Sequence, residues 1–451
     1  MSKQKIQLSD HFDYSRLIRF VLPCIGTMLF TSIYGIVDGL CVSNFVGKTA
    51  FAAVNLIMPV PMLVGTVGFM LGTGGSAIVG ITLGEGDKAR ADRYFSLFMS
   101  TALIAGIVLS VLGMLLLRPV ALMLGAEGEM LDYALRYGRV LMLSLPTFIL
   151  QNMFQSFFVT AEKPHLGFYF TVGAGCTNMV LDVLMVGIWG WGVEGAAIAT
   201  FISQLVGGVL PVFYFIDRSN SSRLHLCKTS FYSKVLRDAC INGSSELMTN
   251  LSMSLVNILY NFQLLRLAGE NGVAAYGVIM YAAFLFVAVF VGYAVGSAPI
   301  VSFHYGARNH AEVHNLYRKS LRLIAVVAVT LTLASMFIIP CVARIFVGYD
   351  AELLALTSRA FRLYALSFLI MGFNVYASSF FTALGDGVTS ALISFLRTLL
   401  FQLLALIFLP MVLGIEGVWL AVTAAEAGAL CVTVLMFITK DNVFHYRKAS
   451  C

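Results

Sequence analysis

Long apolar stretches alternate with short polar ones along the whole chain. Twelve stretches of about 20 residues or more can be marked off, near 17–42, 50–80, 94–117, 133–159, 165–189, 193–215, 237–267, 274–303, 320–343, 358–383, 388–412 and 416–438. At about 1.5 Å of rise per residue, such a run matches the roughly 30 Å of hydrocarbon in a bilayer. No run alternates with the period of two that barrel strands require. The pattern predicts an all-α polytopic membrane protein with 12 transmembrane helices.

The pattern also repeats. Sliding the sequence by 222 residues aligns Gly47 through Phe95 with Gly269 through Tyr317 without a gap, and 12 of those 49 positions are identical. They include Ala52/Ala274, Ile57/Ile279, Met58/Met280, Gly74/Gly296, Ile78/Ile300 and Gly84/Gly306. Further on, Gly192-Val-Glu-Gly meets Gly414-Ile-Glu-Gly. Six helices per half is an even number, so both halves start on the same side of the membrane and the repeat is parallel. This predicts two six-helix lobes around a central cleft, residues 1–216 and 237–451. The polar segment 217–236, with Arg218, Asn220, Arg223 and Lys228, reads as a cytoplasmic linker.

Composition narrows the class further. The chain is 59% hydrophobic and 12% charged with a mean hydropathy of +0.87, which excludes a soluble protein. Most of the 29 lysines and arginines fall on the side holding both termini, which the positive-inside rule assigns to the cytoplasm. The net charge of +6 follows from that bias, so no nucleic-acid partner is implied. Eight cysteines without a Cys-x-x-Cys pair predict neither a disulfide framework nor a zinc site. The seven histidines all fall in inner loops or termini, where a structural or solvated role is expected. Acidic residues among the first nineteen and the length of the first apolar run argue against a cleaved signal peptide.

Against this background the charges inside the runs stand out. Asp38 is the one carboxylate in the first run, and an ionised group in hydrocarbon is tolerated only where it faces a bundle interior or a wet cavity. It is a site candidate on that ground alone. The string Val37-Asp38-Gly39, then Ala52-Ala53, Gly84-Glu-Gly-Asp87, Asn178-x-x-x-Asp182 and Trp191-Gly-Val-Glu-Gly-Ala-Ala-Ile-Ala-Thr200 resembles the multidrug and toxic compound extrusion (MATE) family. The resemblance covers essentially the whole chain. It implies a bacterial plasma-membrane antiporter, without a cofactor, that exports amphipathic, mostly cationic compounds in exchange for Na⁺ or H⁺. It also implies a cation site at Asp38, Asn178, Asp182 and Thr200, and a monomer.

The residues fit that implication on their own terms. Asn178 and Asp182 are four apart and share a helix face. Counting rise from the ends of each run places Asp38 and Asp182 in the outer half of the span, with Thr200 about 10 Å from the outer surface. Two carboxylates with amide and hydroxyl oxygens suit a hard cation, and two like charges in a low dielectric favour uptake of a proton. Capping of neighbouring backbone groups is the structural alternative.

The second half carries a different cluster: Glu246, Arg397 and Glu426, all near the midplane by the same count, with Gln204 as the repeat-related counterpart of Glu426. An unpaired arginine there would be prohibitive, so at least one glutamate must pair with it. The outcome is either a static salt bridge or a surplus carboxylate that receives a cationic substrate or a proton. Tyr34, Phe154, Tyr281 and Tyr376, on helices expected to face the cleft, are candidate apolar and cation–π contacts. The competing readings are a flippase for lipid-linked sugars, which would line the cleft with several arginines where only Arg397 is found, and an intramembrane aspartyl protease, whose Gly-x-Gly-Asp signature is replaced by Ala383-Leu-Gly-Asp386. No serine–histidine or metal-ligand spacing occurs within a run, so an enzyme is not expected.

Overall fold

A computed structural model describes residues 6–46, 48–348 and 350–446, without the side chains at positions 36, 38–45, 48, 51, 340, 342, 345 and 346. The regular structure among the described residues is helical. In the first lobe, α1 spans Tyr14–Phe45 and a short α2 (Lys48–Ile57) leads into α3 (Pro59–Gly84). Then come α4 (Lys88–Met123), α5 (Gly128–Thr160) and α6 (Pro164–Asp182), which runs into a π-helical turn at Val183–Ile188. The lobe closes with α7 (Gly192–Gly208) and α8 (Leu210–Ile216). The second lobe holds α9 (Ser233–Asn242), α10 (Ser244–Gly306), α11 (His310–Val347), α12 (Ala351–Ala365) and α13 (Phe368–Ala383). It ends with α14 (Gly387–Phe395), a π turn at Leu396–Leu400, α15 (Phe401–Leu413), α16 (Ile415–Thr439) and α17 (Asp441–Phe444).

Local chemistry sets the ends of these helices. Asp87 caps α4 by accepting from the Arg90 N–H at 2.9 Å, and its repeat-related counterpart Asn309 caps α11 by accepting from Glu312 N–H at 3.1 Å. The 63-residue α10 would be about 95 Å long if straight. It is two spans folded back at Gly269, whose φ of 60° and ψ of −150° only glycine adopts readily. Ten helices are long and apolar enough to cross a membrane, and α12 with α13 form one further span bent by 47°. With α10 counted as two, the described residues supply the twelve spans that the apolar pattern predicts.

The outer faces are apolar. Leu115 is 71% exposed, Val326 65% and Phe337 80%, an arrangement that only a lipid surround makes stable. Trp189 and Trp191 stand exposed at the turn between α6 and α7, where the membrane–water interface favours their amphipathic rings.

Backbone-to-backbone contact joins the lobes. A methyl group added at Gly84 would run into the Phe303 carbonyl oxygen, and one at Gly306 into that of Ile81. These two contacts are the same contact seen from either lobe, because Ile81/Phe303 and Gly84/Gly306 are both pairs at the 222-residue shift. Gly80 likewise meets its own repeat partner, Ser302. Higher up, Gly74 packs on Ala239 and Gly243, and Gly296 packs on Val21 and Cys24. The glycines of these spans therefore serve close packing around a pseudo-two-fold axis.

A strap tightens the same end. Leu8 and Phe12 are fully buried. Leu8 N–H donates to Glu162 Oε1 at 2.8 Å, between α5 and α6, while Phe12 N–H donates to Glu312 Oε1 at 2.9 Å, on α11. Segment 217–232 lies along α4, with His225 N–H donating to Asp92 Oδ1 at 3.0 Å. Its Arg223 pairs with Glu162 and stacks over Phe303 at 4.9 Å.

The axial contact makes a prediction. Gly306→Val places a branched side chain against the Ile81 carbonyl and is expected to destabilise the protein by about 1–3 kcal/mol. Gly277→Val, at a position with open space around its Cα, is expected to change little. Equal melting temperatures for the two purified variants would refute the contact.

Candidate cation site and central cavity

The first lobe gathers a polar stripe on α6. Thr171, Ala174, Gly175, Asn178 and Asp182 are its buried positions, spaced by three or four along one face. Asn178 Nδ2 lies 3.5 Å from Thr200 Oγ1 on α7, and Asp182 one turn further on is fully buried. Asn178 Oδ1 is buried with no hydrogen-bond partner among the described residues. Helix α1 packs along α6 and the π turn. The backbone of Asp38 belongs to α1, but its side chain lies outside the described residues. Of the predicted set, Asn178 and Thr200 thus meet across α6 and α7, and Asp182 is buried one turn further along α6. A buried acceptor oxygen without a donor, beside a hydroxyl and a carboxylate, is a hard-oxygen environment suited to Na⁺ or to a proton.

The π turn begins at the residue after Asp182. Such a turn offsets the helix register locally and is often found at functional positions. The second lobe repeats the device in its corresponding helix, where the π turn Leu396–Leu400 carries Arg397.

Arg397 and Glu426 pair, with Nη1 to Oε1 at 3.3 Å and side chains 12% and 5% exposed. Two residues complete the pair. Asn374 on α13 donates from Nδ2 to Glu426 Oε2 at 2.7 Å and to its backbone oxygen at 2.9 Å, and Thr433 Oγ1 donates to Asn374 Oδ1 at 2.8 Å. The sequence signal for Asn374 is a lone amide in an apolar run, which costs free energy in a bilayer unless it is bonded. Glu246 stands apart. The interruption at Gly243 starts α10 afresh and puts Glu246 in its first turn, where the helix dipole favours a carboxylate.

These groups face a cavity of about 370 Å³ between the lobes. Met28, Thr73, Ser76 and Ser156 line it from the first lobe, and Glu246, Arg397 and Glu426 from the second. Gln204, the repeat partner of Glu426, is not among its lining residues; it is half-buried on α7, and its buried Oε1 has no hydrogen-bond partner among the described residues. Nor are the four predicted cleft aromatics. Phe154 is stacked on Phe215 at 5.6 Å inside the first lobe, and Tyr376 is buried beside Tyr293 at 6.1 Å. Tyr34 lies 6.3 Å from Phe30, and Tyr281 is 46% exposed. The aromatic lining is Phe284 and Tyr364 instead. An aromatic ring packs against other rings as readily as it lines a cavity, so helical spacing alone does not separate the two.

The MatE family model matches residues 23–184 and 247–407, one segment in each lobe. The chain belongs to the MatE family. It is 20% identical over 434 residues to the multidrug export protein MepA of Staphylococcus saprophyticus and 21% identical over 435 residues to that of Staphylococcus aureus, covering 95% of both chains in each case. A solved structure of MATE in complex with MaL6 superposes with a TM-score of 0.91 at 24% identity, over 98% of this chain and 100% of that one. This MatE fold fits the two parallel six-helix lobes.

A buried ion pair is felt most when one partner is removed. Arg397→Ala is expected to lower stability by about 3–5 kcal/mol, because it strands the Glu426 charge. The Arg397→Ala/Glu426→Gln double variant is expected to recover much of that loss. Thermal unfolding of the purified variants measures both, and equal damage from the single and double changes would refute the pair.

Proposed function

We propose that this protein exports amphipathic, mostly cationic compounds from the cytoplasm of a bacterium in exchange for inward Na⁺ or H⁺, acting as a monomer in the plasma membrane without a cofactor. The observation that carries the reading is the inter-lobe cavity, with its methionine-rich lining and the carboxylate of Glu246. Such a lining accommodates varied apolar bodies, and the carboxylate compensates a positive charge. The staphylococcal relatives named as multidrug export proteins support the same reading. In this scheme residues 1–216 and 237–451 act as two lobes, 217–236 links them, and the tightly packed end with both termini faces the cytoplasm.

Asp38, Asn178, Asp182 and Thr200 hold the coupling cation. A ligand shifts a conformational equilibrium only by its differential affinity for the two states, so the site must bind Na⁺ or a proton differently when the lobes rock. Drug and cation then oppose each other: filling the first-lobe site releases the drug outward.

Ethidium efflux from everted vesicles, driven in turn by a Na⁺ and a pH gradient, tests the proposal and identifies the ion. Neither gradient driving efflux would refute it. Asp38→Asn, which keeps side-chain volume and removes the charge, is expected to abolish efflux at normal abundance. Asp182→Asn and Asn178→Ala are expected to be milder. Near wild-type resistance in cells expressing Asp38→Asn would remove that residue from the coupling site. Dye affinity in detergent is expected to fall as pH drops from about 8 to 5 or as Na⁺ rises; affinity indifferent to both ions would rule out antagonism.

A further inference from the structure

The cavity carboxylates differ in how far they are committed. Glu426 faces Arg397 through Oε1 and Asn374 through Oε2, at 3.3 and 2.7 Å. Asn374 is fully buried, and the Thr433 hydroxyl on its Oδ1 fixes which way its amide points. Glu246 lines the same cavity within the electrostatic reach of Arg397, but the ion pair of Arg397 at 3.3 Å is with Glu426. Among the described residues, the first lobe contributes only uncharged side chains to the lining. With both glutamates ionised, and with arginine always protonated in proteins, the lining carries one net negative charge.

We propose that Arg397 sets the charge number of the exported compound: by neutralising Glu426 it leaves the cavity able to compensate one positive charge, so monovalent amphipathic cations are accepted and divalent cations of the same body are disfavoured. The inference rests on the reading of this cavity as the drug site. A first cationic group pairs with Glu246. A second one finds Arg397, a like charge that the buried pair holds in place, in a low-dielectric surround where an uncompensated charge is strongly disfavoured. Asn374 is a positioning residue in this scheme. It keeps Glu426 turned to Arg397 and away from the cavity contents.

Ethidium and propidium share a phenanthridinium body, and propidium carries one additional quaternary ammonium. Binding of each dye to the purified full chain in detergent, at a pH near 8, reads the charge count. The wild type is expected to bind ethidium about tenfold or more tighter than propidium. In Arg397→Met that ratio is expected to fall to about threefold or less, and in Arg397→Met/Glu426→Gln to return toward the wild-type value. Thr249→Asp covers the case in which Arg397→Met does not fold. It adds a carboxylate to the cavity lining one turn from Glu246 without touching the ion pair, and is expected to improve propidium relative to ethidium. An ethidium-to-propidium ratio that stays at the wild-type value in Arg397→Met or, where that variant does not fold, in Thr249→Asp overturns the proposal. A wild type that binds neither dye overturns the drug-site reading itself, and the charge count with it.

Discussion

The architecture depends on a close approach of two backbones at the pseudo-two-fold axis. Where α3 crosses the second half of α10, Gly84 and Gly306 each leave room for a carbonyl oxygen of the opposite helix. Lipid tails are as apolar as leucine, so helices in a bilayer are not driven together by exclusion from water. They associate through close van der Waals contact, which small residues permit. With the lobes held at that end, and Leu8 and Phe12 strapped to Glu162 and Glu312 across the seam, the remaining length of the bundle is free to diverge and enclose a cavity.

The repeat explains the shared frame and makes the departures from symmetry informative. Both lobes cap their third long helix at equivalent positions, Asp87 and Asn309, and both place a π turn in their fifth span. What the π turns carry differs. The first lobe buries Asp182 and Asn178, the latter facing the Thr200 hydroxyl at 3.5 Å. The second buries Arg397, a permanent cation already bonded to Glu426. Where the first lobe has Gln204, the second has that glutamate. One duplicated helix bundle thus carries an oxygen-rich set in one lobe and a self-paired arginine and glutamate in the other.

Much of this was legible in the sequence because the bilayer makes strong demands on it. Run length, the absence of period-two alternation and the 222-residue shift together specified twelve helices and two parallel lobes. Charges in apolar runs are costly enough that Asp182, Arg397, Glu246 and Glu426 announced themselves, and matched depth sufficed to pair Arg397 with Glu426. The Asn374–Thr433 clamp was missed because it depends on which faces of α13 and α16 meet, and an amide in a span does not name its partner. The cleft aromatics were misplaced for a related reason: Phe154 and Tyr376 satisfy the same apolar periodicity whether they pack in a lobe core or line a cavity. The fresh helix start at Gly243, which gives Glu246 its place in a first turn, also has no periodic signature.

Asymmetry and closure meet in one energetic argument. A charge buried in this bundle is stable only with its partner, so the Arg397–Glu426 pair acts as a fixed element whatever occupies the cavity. In the proposed scheme the first-lobe site takes its cation from solution, so the free energy of its carboxylates varies with what the solution supplies. Occupancy proposed there would change the free energy of one lobe while the other stays constant. The lobes meet through glycine contacts along the axis and a short strap, so in the proposed scheme a change in one lobe acts on their relative tilt. In the proposed scheme the fixed pair and the first-lobe site are therefore complementary parts of one switch, the one constant and the other responsive.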